Sequence, residues 1–343
     1  MVALLISFAS LAAVLACAGA IYQLVGSRRD RRRLCREGRR VALGSGRNLY
    51  LLEKGSGLRT VIFESGIAAT SLNWFRIQER VSEFAATASY DRFGLGWSDR
   101  STSSRTPSNV AAELHALLQA AGVRPPYVLV GHSFGGLVMR RFALSWPEEV
   151  AGLVLVDPMR CEEWPPFEPA KQGQVERGLR MTSVAIHLAR FGIMRLAVTS
   201  LLKRAGRLSQ RLSVVGGSGA QHVLHRVTSE VGKLPRETWP AVAAHWSRPT
   251  FYAGVRSHVE SVPHTVREMM DAPPIRQIPI LVLTPGASTP LTPECLARIG
   301  DNLRQEIVED CAHWIHLDRP ELVIDSIRDL VASIAEPVPA VMG

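Results

Sequence analysis

The 343-residue chain is 46% hydrophobic, long enough for one large core with an inserted lobe or for two modest domains, which excludes a miniprotein or a disordered tail. Five cysteines, Cys17, Cys35, Cys161, Cys295 and Cys311, are odd in number, widely spaced and without a C-x-x-C pair, so reduced thiols are expected rather than a disulfide framework or a zinc site. The net charge of +9 is concentrated between Ser27 and Arg40, where eight arginines face Asp30 and Glu37 (a local +6); the remaining +3 does not make a nucleic-acid surface.

In chain order, the first feature is the uncharged stretch Val2–Gly26. Its 25 residues, helical at about 1.5 Å each, span about 37 Å, more than a hydrocarbon layer of about 30 Å. No Lys or Arg precedes it, which argues for a retained anchor over a cleaved signal peptide. The arginines that follow place the rest of the chain in the cytoplasm by the positive-inside rule. They either contact anionic headgroups as well or set topology alone.

From Val41 onward, short β-branched runs alternate with helical stretches, the rhythm of a mostly parallel sheet with helices on both faces. Strands are predicted at 47–53 (antiparallel), 60–63, 88–91, 127–130, 153–156, 280–283 and 306–308. Helices are predicted at 108–121, with Ser108 as N-cap, at 137–144 and at 320–334. After Asp157 the rhythm fails until Ile278, and residues 158–277 are predicted to form an inserted helical lid. Within it, Met181–Leu212 reads as a basic, apolar helix that lies on a membrane or packs over a pocket with its arginines in water. The expected division is an anchor and basic segment at 1–40, a core at 41–157 and 278–335, and the lid between.

Gly131-His132-Ser133-Phe134-Gly135 fits G-x-S-x-G, with a strand before it and a helix-forming stretch after it. A nucleophile on a sharp strand-to-helix turn projects its hydroxyl above the sheet, and glycines at 131 and 135 allow the close approach. The amide of Phe134, at the helix N-terminus, is a candidate oxyanion donor. Serine needs a base. Of His313 and His316 in "DCAHWIHLDRPELV", His313 is the candidate because it falls in the loop after the last strand. The carboxylate that orients it is assigned to Asp157, at the end of "LVLVDP", with Glu162, Glu163 and Glu294 as alternatives. "FESGIAATSLNW" supplies a second donor, the amide of Ile67 after Gly66.

Other features carry less. His222 and His225 share a helix face but lack a third metal ligand. Trp74 and Trp97 fall in loops expected to border the pocket, and Asp91 and Arg92 are expected to form structural hydrogen bonds beneath the active site. No phosphate loop or dinucleotide fingerprint occurs.

With "GHSFGG", "ESGIAATSLNW", "YDRFGLGWSD", "LVLVDP" and "AHWIHLDRPE" in this order, the chain from about Val41 to Ala335 resembles the α/β-hydrolase superfamily, in particular bacterial members with a helical lid. Two departures stand out. The family often begins its oxyanion loop with His-Gly, where this chain has Ser65-Gly66, and its usual acid would align near Thr289. Some members take the acid from the preceding strand's end, which is where Asp157 stands. The resemblance and the residues imply a membrane-anchored serine hydrolase that cleaves a carboxylic ester, or else an amide or thioester, of a small, lipophilic acyl substrate, through an acyl-enzyme on Ser133 and without metal or organic cofactor. A non-catalytic ligand-binding or signalling protein, or an acyltransferase, are the alternatives.

Overall fold

The structure, a computed structural model, describes residues 1–44, 46–164, 169–208 and 231–335. Its centre is an eight-stranded sheet. Strands β1 (Arg39–Ala42), β2 (Asn48–Lys54), β3 (Thr60–Glu64), β4 (Ala86–Asp91), β5 (Tyr127–His132), β6 (Val150–Val156), β7 (Ile280–Pro285) and β8 (Leu303–Val308) lie in the order β1-β2-β4-β3-β5-β6-β7-β8. The β1/β2 and β2/β4 pairs are antiparallel, and all pairs from β4 to β8 are parallel.

The period-two geometry of a strand sends alternate residues to opposite faces, so a parallel sheet covered on both sides needs unbroken apolar runs. In β5, Leu129 packs with α3 (Pro107–Ala121) and α4 (Phe134–Ser145) through Leu114 and Val138, whereas Val128 and Val130 pack on the other face. There α2 (Phe75–Val81) and α11 (Pro320–Ala335) contribute Ile77, Val81, Val323 and Ile327. All six residues of β5 are buried, and the site is built at its carboxyl end.

Between β6 and β7 the chain forms α5 (Pro169–Arg190), α6 (Ile193–Leu208), α7 (Trp239–Trp246) and α8 (Pro249–Met270). This differs from the single helix expected over Met181–Leu212. The helix stops at Arg190, Gly192 adopts φ 73°, and the axes of α5 and α6 meet at 95°. Glycine reaches that left-handed conformation without a Cβ penalty, and the amide of Gly192 bonds back to the Ala189 carbonyl at 3.2 Å. Residues 209–230, which include His222 and His225, lie outside the described residues.

At the N-terminus, α1 (Val2–Leu34) is long and apolar enough to cross a membrane and continues through the arginines as one helix. Arg39 and Arg40, counted with the basic segment in the sequence, are the first residues of β1. The α3 cap also differs: Pro107 at the first helical position shifts the start back, so Thr106 accepts from the Asn109 amide at 3.4 Å while Ser108 bonds Glu268 instead. Trp74 and Trp97 are buried and line none of the described cavities. Trp74 stacks between Phe63 and His316, and Trp97 packs with Tyr50, Leu52 and His245.

Candidate active site

Ser133 is the single residue between β5 and α4, and its backbone is strained at φ 54°, ψ −120°. Neighbouring backbones require the glycines around it. A Cβ on Gly131 would meet the Gly135 carbonyl oxygen at 2.5 Å, and one on Gly135 would meet that of Glu64 at 2.5 Å. The turn is tied to β6 by the Ser133 amide, which bonds the Val156 carbonyl at 3.1 Å.

One step beyond, Asp157 ends β6 with φ 40°, and its amide bonds the Leu283 carbonyl at 2.8 Å. Its Oδ2 lies 2.7 Å from His313 Nδ1, so Nδ1 carries the proton and Nε2 is left to accept one. Among the described residues no other carboxylate contacts the His313 ring: Glu163 pairs with Arg160 at 3.5 Å, and Glu294 sits exposed in the first turn of α9 (Pro293–Ile299). Ser133, Asp157 and His313 line one cavity of about 1030 Å³ together with Gly66, Ile67 and Thr289. No hydrogen bond joins the Ser133 hydroxyl to His313 among the described residues, a contact that in ligand-free enzymes often tightens only when substrate is bound.

The two amides expected as oxyanion donors, those of Phe134 and Ile67, belong to the segments that flank Ser133. Phe134 opens α4, and the first N–H groups of a helix have no intrahelical acceptor. A Cβ on Gly66 would lie 3.4 Å from that of Ser133, so the Gly66-Ile67 turn passes directly beside the hydroxyl-bearing residue.

Asp91 and Arg92 form structural hydrogen bonds under this turn as the sequence led one to expect, while the part of Glu64 was not foreseen. Arg92, 2% exposed, donates to the Ser65 carbonyl at 2.9 Å and to that of Gly66, and faces Glu64 at 3.3 Å. Tyr90 donates to the other Glu64 oxygen, and the Ser65 amide to the first at 2.9 Å. Burial pushes the Glu64 carboxyl up against the pull of Arg92 and pulls the guanidinium down against the pull of Glu64. Beside this pair, Asp91 binds the Ser71 amide and hydroxyl at 3.0 and 2.9 Å and the Trp97 amide at 2.8 Å. The signal available beforehand was positional: Glu64 and Arg92 sit at the ends of adjacent parallel strands, one acidic and one basic.

Beneath His313 lies a stack of neutral imidazoles. His132, fully buried, donates from Nε2 to the His313 carbonyl at 2.8 Å, and its ring lies 4.6 Å from that of His313 and 4.3 Å from that of His316. His316, 1% exposed, faces Trp74 at 4.6 Å, and neither of its ring nitrogens has a hydrogen-bond partner among the described residues. Burial first, then the charges of His313 and Lys233, pull its pKa down to about 3. Burial likewise holds His132 well below the usual imidazole range. Trp164 and Trp314, rather than Trp74 and Trp97, are the tryptophans lining the cavity.

Comparison with known proteins agrees with this architecture. A family model described as alpha/beta hydrolase fold matches residues 59–183. The protein YqjL of Bacillus subtilis is 36% identical over 105 residues, 31% of this chain and 42% of that one, so the chain spans less than half the length of this relative. The mouse sn-1-specific diacylglycerol lipase ABHD11 is 25% identical over 243 residues, 65% of this chain and 64% of the lipase. The solved structure of epoxide hydrolase VrEH1 from Vigna radiata superposes with a TM-score of 0.65 at 18% identity, covering 87% of this chain and 98% of that one.

Two predictions test the support of the site. Replacing Arg92 by leucine strips the buried carbonyls of Ser65 and Gly66 of this donor and leaves Glu64 without its counter-charge, so Arg92→Leu should lower the unfolding free energy in urea by about 3–5 kcal/mol. The cost of Glu64→Gln should then be smaller in that background than alone, by a coupling of about 0.5–3 kcal/mol. Strict additivity would refute the pairing.

The second concerns pH. A histidine held near 3 in the folded chain recovers an ordinary value of about 6.5 on unfolding, so the unfolded state binds more protons as pH falls below 6.5. The stability is full above that value and drains away as pH falls toward 3, at about 1.4 kcal/mol per pH unit. His316→Phe keeps the contact with Trp74 and removes the titration. Between pH 6 and pH 4 the variant should lose about 2.5 kcal/mol less stability than the parent, as read from denaturant midpoints at each pH.

Proposed function

Taking as premise that the chain belongs to the α/β-hydrolase superfamily, we propose that it is a membrane-anchored serine hydrolase that cleaves a lipophilic carboxylic ester through an acyl-enzyme on Ser133. The observation that carries this reading is the 2.7 Å contact between Asp157 and His313 Nδ1, within the cavity that also holds Ser133 on its strained turn.

The chemistry follows from these positions. Ser133 Oγ attacks the acyl carbon while His313 Nε2 takes its proton, and Asp157 stabilises the imidazolium that forms. The negative oxygen of the tetrahedral intermediate is met by the amides of Phe134 and Ile67. His313 returns the proton to the leaving alkoxide, then activates a water that releases the acid and frees Ser133. Because the imidazoles of His132 and His316 are neutral, the imidazolium of His313 meets no like charge from the rings packed against it.

Ile67, Met159, Val175, Val259, Val262 and Trp164 give the cavity an apolar lining, which supports a lipophilic acyl group. Helices α5–α8 take the position of a lid in this reading, with Val175 and Gly178 of α5 forming part of the cavity wall. Helix α1 is the anchor, its apolar length matched to a bilayer. The match to a protein named as a diacylglycerol lipase is in keeping with a lipid ester.

The test uses the full chain in detergent with p-nitrophenyl esters of increasing chain length and a fluorophosphonate probe. Ser133→Ala should abolish both turnover and labelling, and Asp157→Asn should lower kcat by about 10⁴-fold by leaving His313 in the wrong tautomer. Labelling that survives Ser133→Ala, or an Asp157→Asn enzyme at full rate, would remove the assignment.

A further inference from the structure

Outside α1, most of the large apolar residues that stand exposed among the described residues gather at the corner between α5 and α6. Met181, Val184, Phe191, Ile193 and Leu196 are each between 44% and 58% exposed. Met181 and Val184 lie three residues apart on one side of α5, Phe191 stands in the turn that follows Arg190, and Ile193 and Leu196 continue the patch into α6. Arg177, Arg180 and Arg190 are exposed beside it. On a monomer in water such a contiguous patch is unfavourable and marks an interaction site.

What covers it is indicated by the contact this corner makes with α1. A Cβ on Gly19 would meet the Phe191 carbonyl oxygen at 2.3 Å, and one on Gly192 would meet the Tyr22 ring at 2.8 Å, so the helices touch backbone to backbone at the bend. One turn further, Arg195, 7% exposed, inserts its guanidinium between the helices. It bonds Gln23 at 3.0 Å, Asp30 at 2.6 Å and Ser27 at 3.2 Å. Gly26 leaves room for it, since a Cβ there would lie 2.8 Å from the guanidinium carbon. This is a built polar lock that fixes the corner at one height along α1.

That height can be read off the helix rise. The exposed apolar residues of α1 run from Val2 to Val25, about 36 Å at about 1.5 Å per residue, slightly more than a hydrocarbon layer of about 30 Å. Gly19 lies six residues before Val25, about 9 Å inside the end of that stretch, and Asp30 about 7.5 Å beyond it. The Phe191 corner therefore falls at the depth where interfacial amphipathic helices bury their apolar side, about 5–10 Å into the acyl boundary. The partners of Arg195 run from Gln23, at the boundary, to Ser27 and Asp30 among the headgroups.

Resting on the anchor reading above, we propose that the α5–α6 corner is a second membrane contact: its apolar residues seat in the leaflet that α1 enters, with the flanking arginines on anionic headgroups. Because α5 also carries Val175 and Gly178 on the cavity wall, the docked helix separates the acyl boundary from the catalytic cavity, and the site draws its substrate from the lipid phase.

The experiment uses the full chain with Cys17, Cys35 and Cys295 replaced by alanine. An environment-sensitive NBD fluorophore is placed at Phe191→Cys, at Leu196→Cys or, for reference, at Leu58→Cys, a fully exposed position between β2 and β3. In vesicles of phosphatidylcholine and phosphatidylglycerol, emission from positions 191 and 196 should shift to the blue and be quenched by lipids spin-labelled near the headgroup end of the chain. Position 58 should do neither. Alkaline washing of the same vesicles reports on α1 alone. A chain that resists the wash while positions 191 and 196 emit as in water overturns this inference and leaves the anchor standing. A blue shift without lipid quenching assigns the corner to a protein partner or a second copy and overturns it also. A chain stripped by alkali removes the anchor reading and this one with it.

Discussion

Three backbones meet at one point in this molecule, and the rest of the site is arranged around that contact. Strand β5 arrives at Gly131, α4 leaves through Gly135, and the end of β3 passes at Glu64, each within about 2.5 Å of where a Cβ of its neighbour would stand. No side chain fits there, so the turn has room only for the left-handed residue that joins strand to helix. Ser133 occupies that conformation at a cost of about 1–3 kcal/mol, offset by the fully buried strand and the helix on either side. The same proximity holds the Gly66-Ile67 turn beside Ser133, with Phe134 opening α4 directly after it.

Holding β3 against the elbow needs polar groups where apolar ones would be cheaper. The turn after β3 leaves the carbonyls of Ser65 and Gly66 buried, and an unpaired buried carbonyl costs about 1–3 kcal/mol. Arg92 answers both with one planar side chain, which lies 5.2 Å from the Phe134 ring, and Glu64 compensates its charge from the neighbouring strand. Such a pair is weak evidence for stability in itself, because the desolvation of both ions offsets their attraction. What it does supply is a fixed distance between the loop that carries Ile67 and the helix that opens with Phe134.

The sheet was legible because its strands are buried on both faces: "YVLV", "LVLV" and "ILVL" cannot satisfy any other environment, and their ends in the structure fall within a few residues of those expected. The elbow and the pairing of His313 with Asp157 were legible for a related reason, since polar residues directly after apolar strands have nowhere to sit but the sheet's carboxyl edge. What escaped depends on contacts distant in sequence. The break between α5 and α6 occurs at a glycine whose neighbour is Tyr22, some 170 residues earlier. The edge strand β1 is four residues with one buried apolar side chain, too short to carry a pattern. His132, His245, His258 and His316 are buried by aromatic and helical packing that no local sequence pattern displays.

The position of the acid has a physical explanation in the strand order. Thr289 cannot ionise and Asp157 stands at the end of β6, so the loop after β8 reaches across the end of β7 to bring His313 against Asp157. That crossing requires a low obstacle. The segment after β7 is Gly286-Ala287-Ser288-Thr289, held down by bonds from the Gly286 amide to Val308 at 2.8 Å and from Ala287 to Cys311 at 3.4 Å. A Cβ on Gly286 would lie 2.6 Å from the Glu309 carboxylate and 3.2 Å from its Cα, so a larger residue would lift the β8 loop. The absence of an acid at 289 and the small residues beside it are thus two sides of one arrangement. Asp157 stands at the end of the strand beside the one that leads into Ser133, and the small residues between leave the His313 imidazole free to reach it.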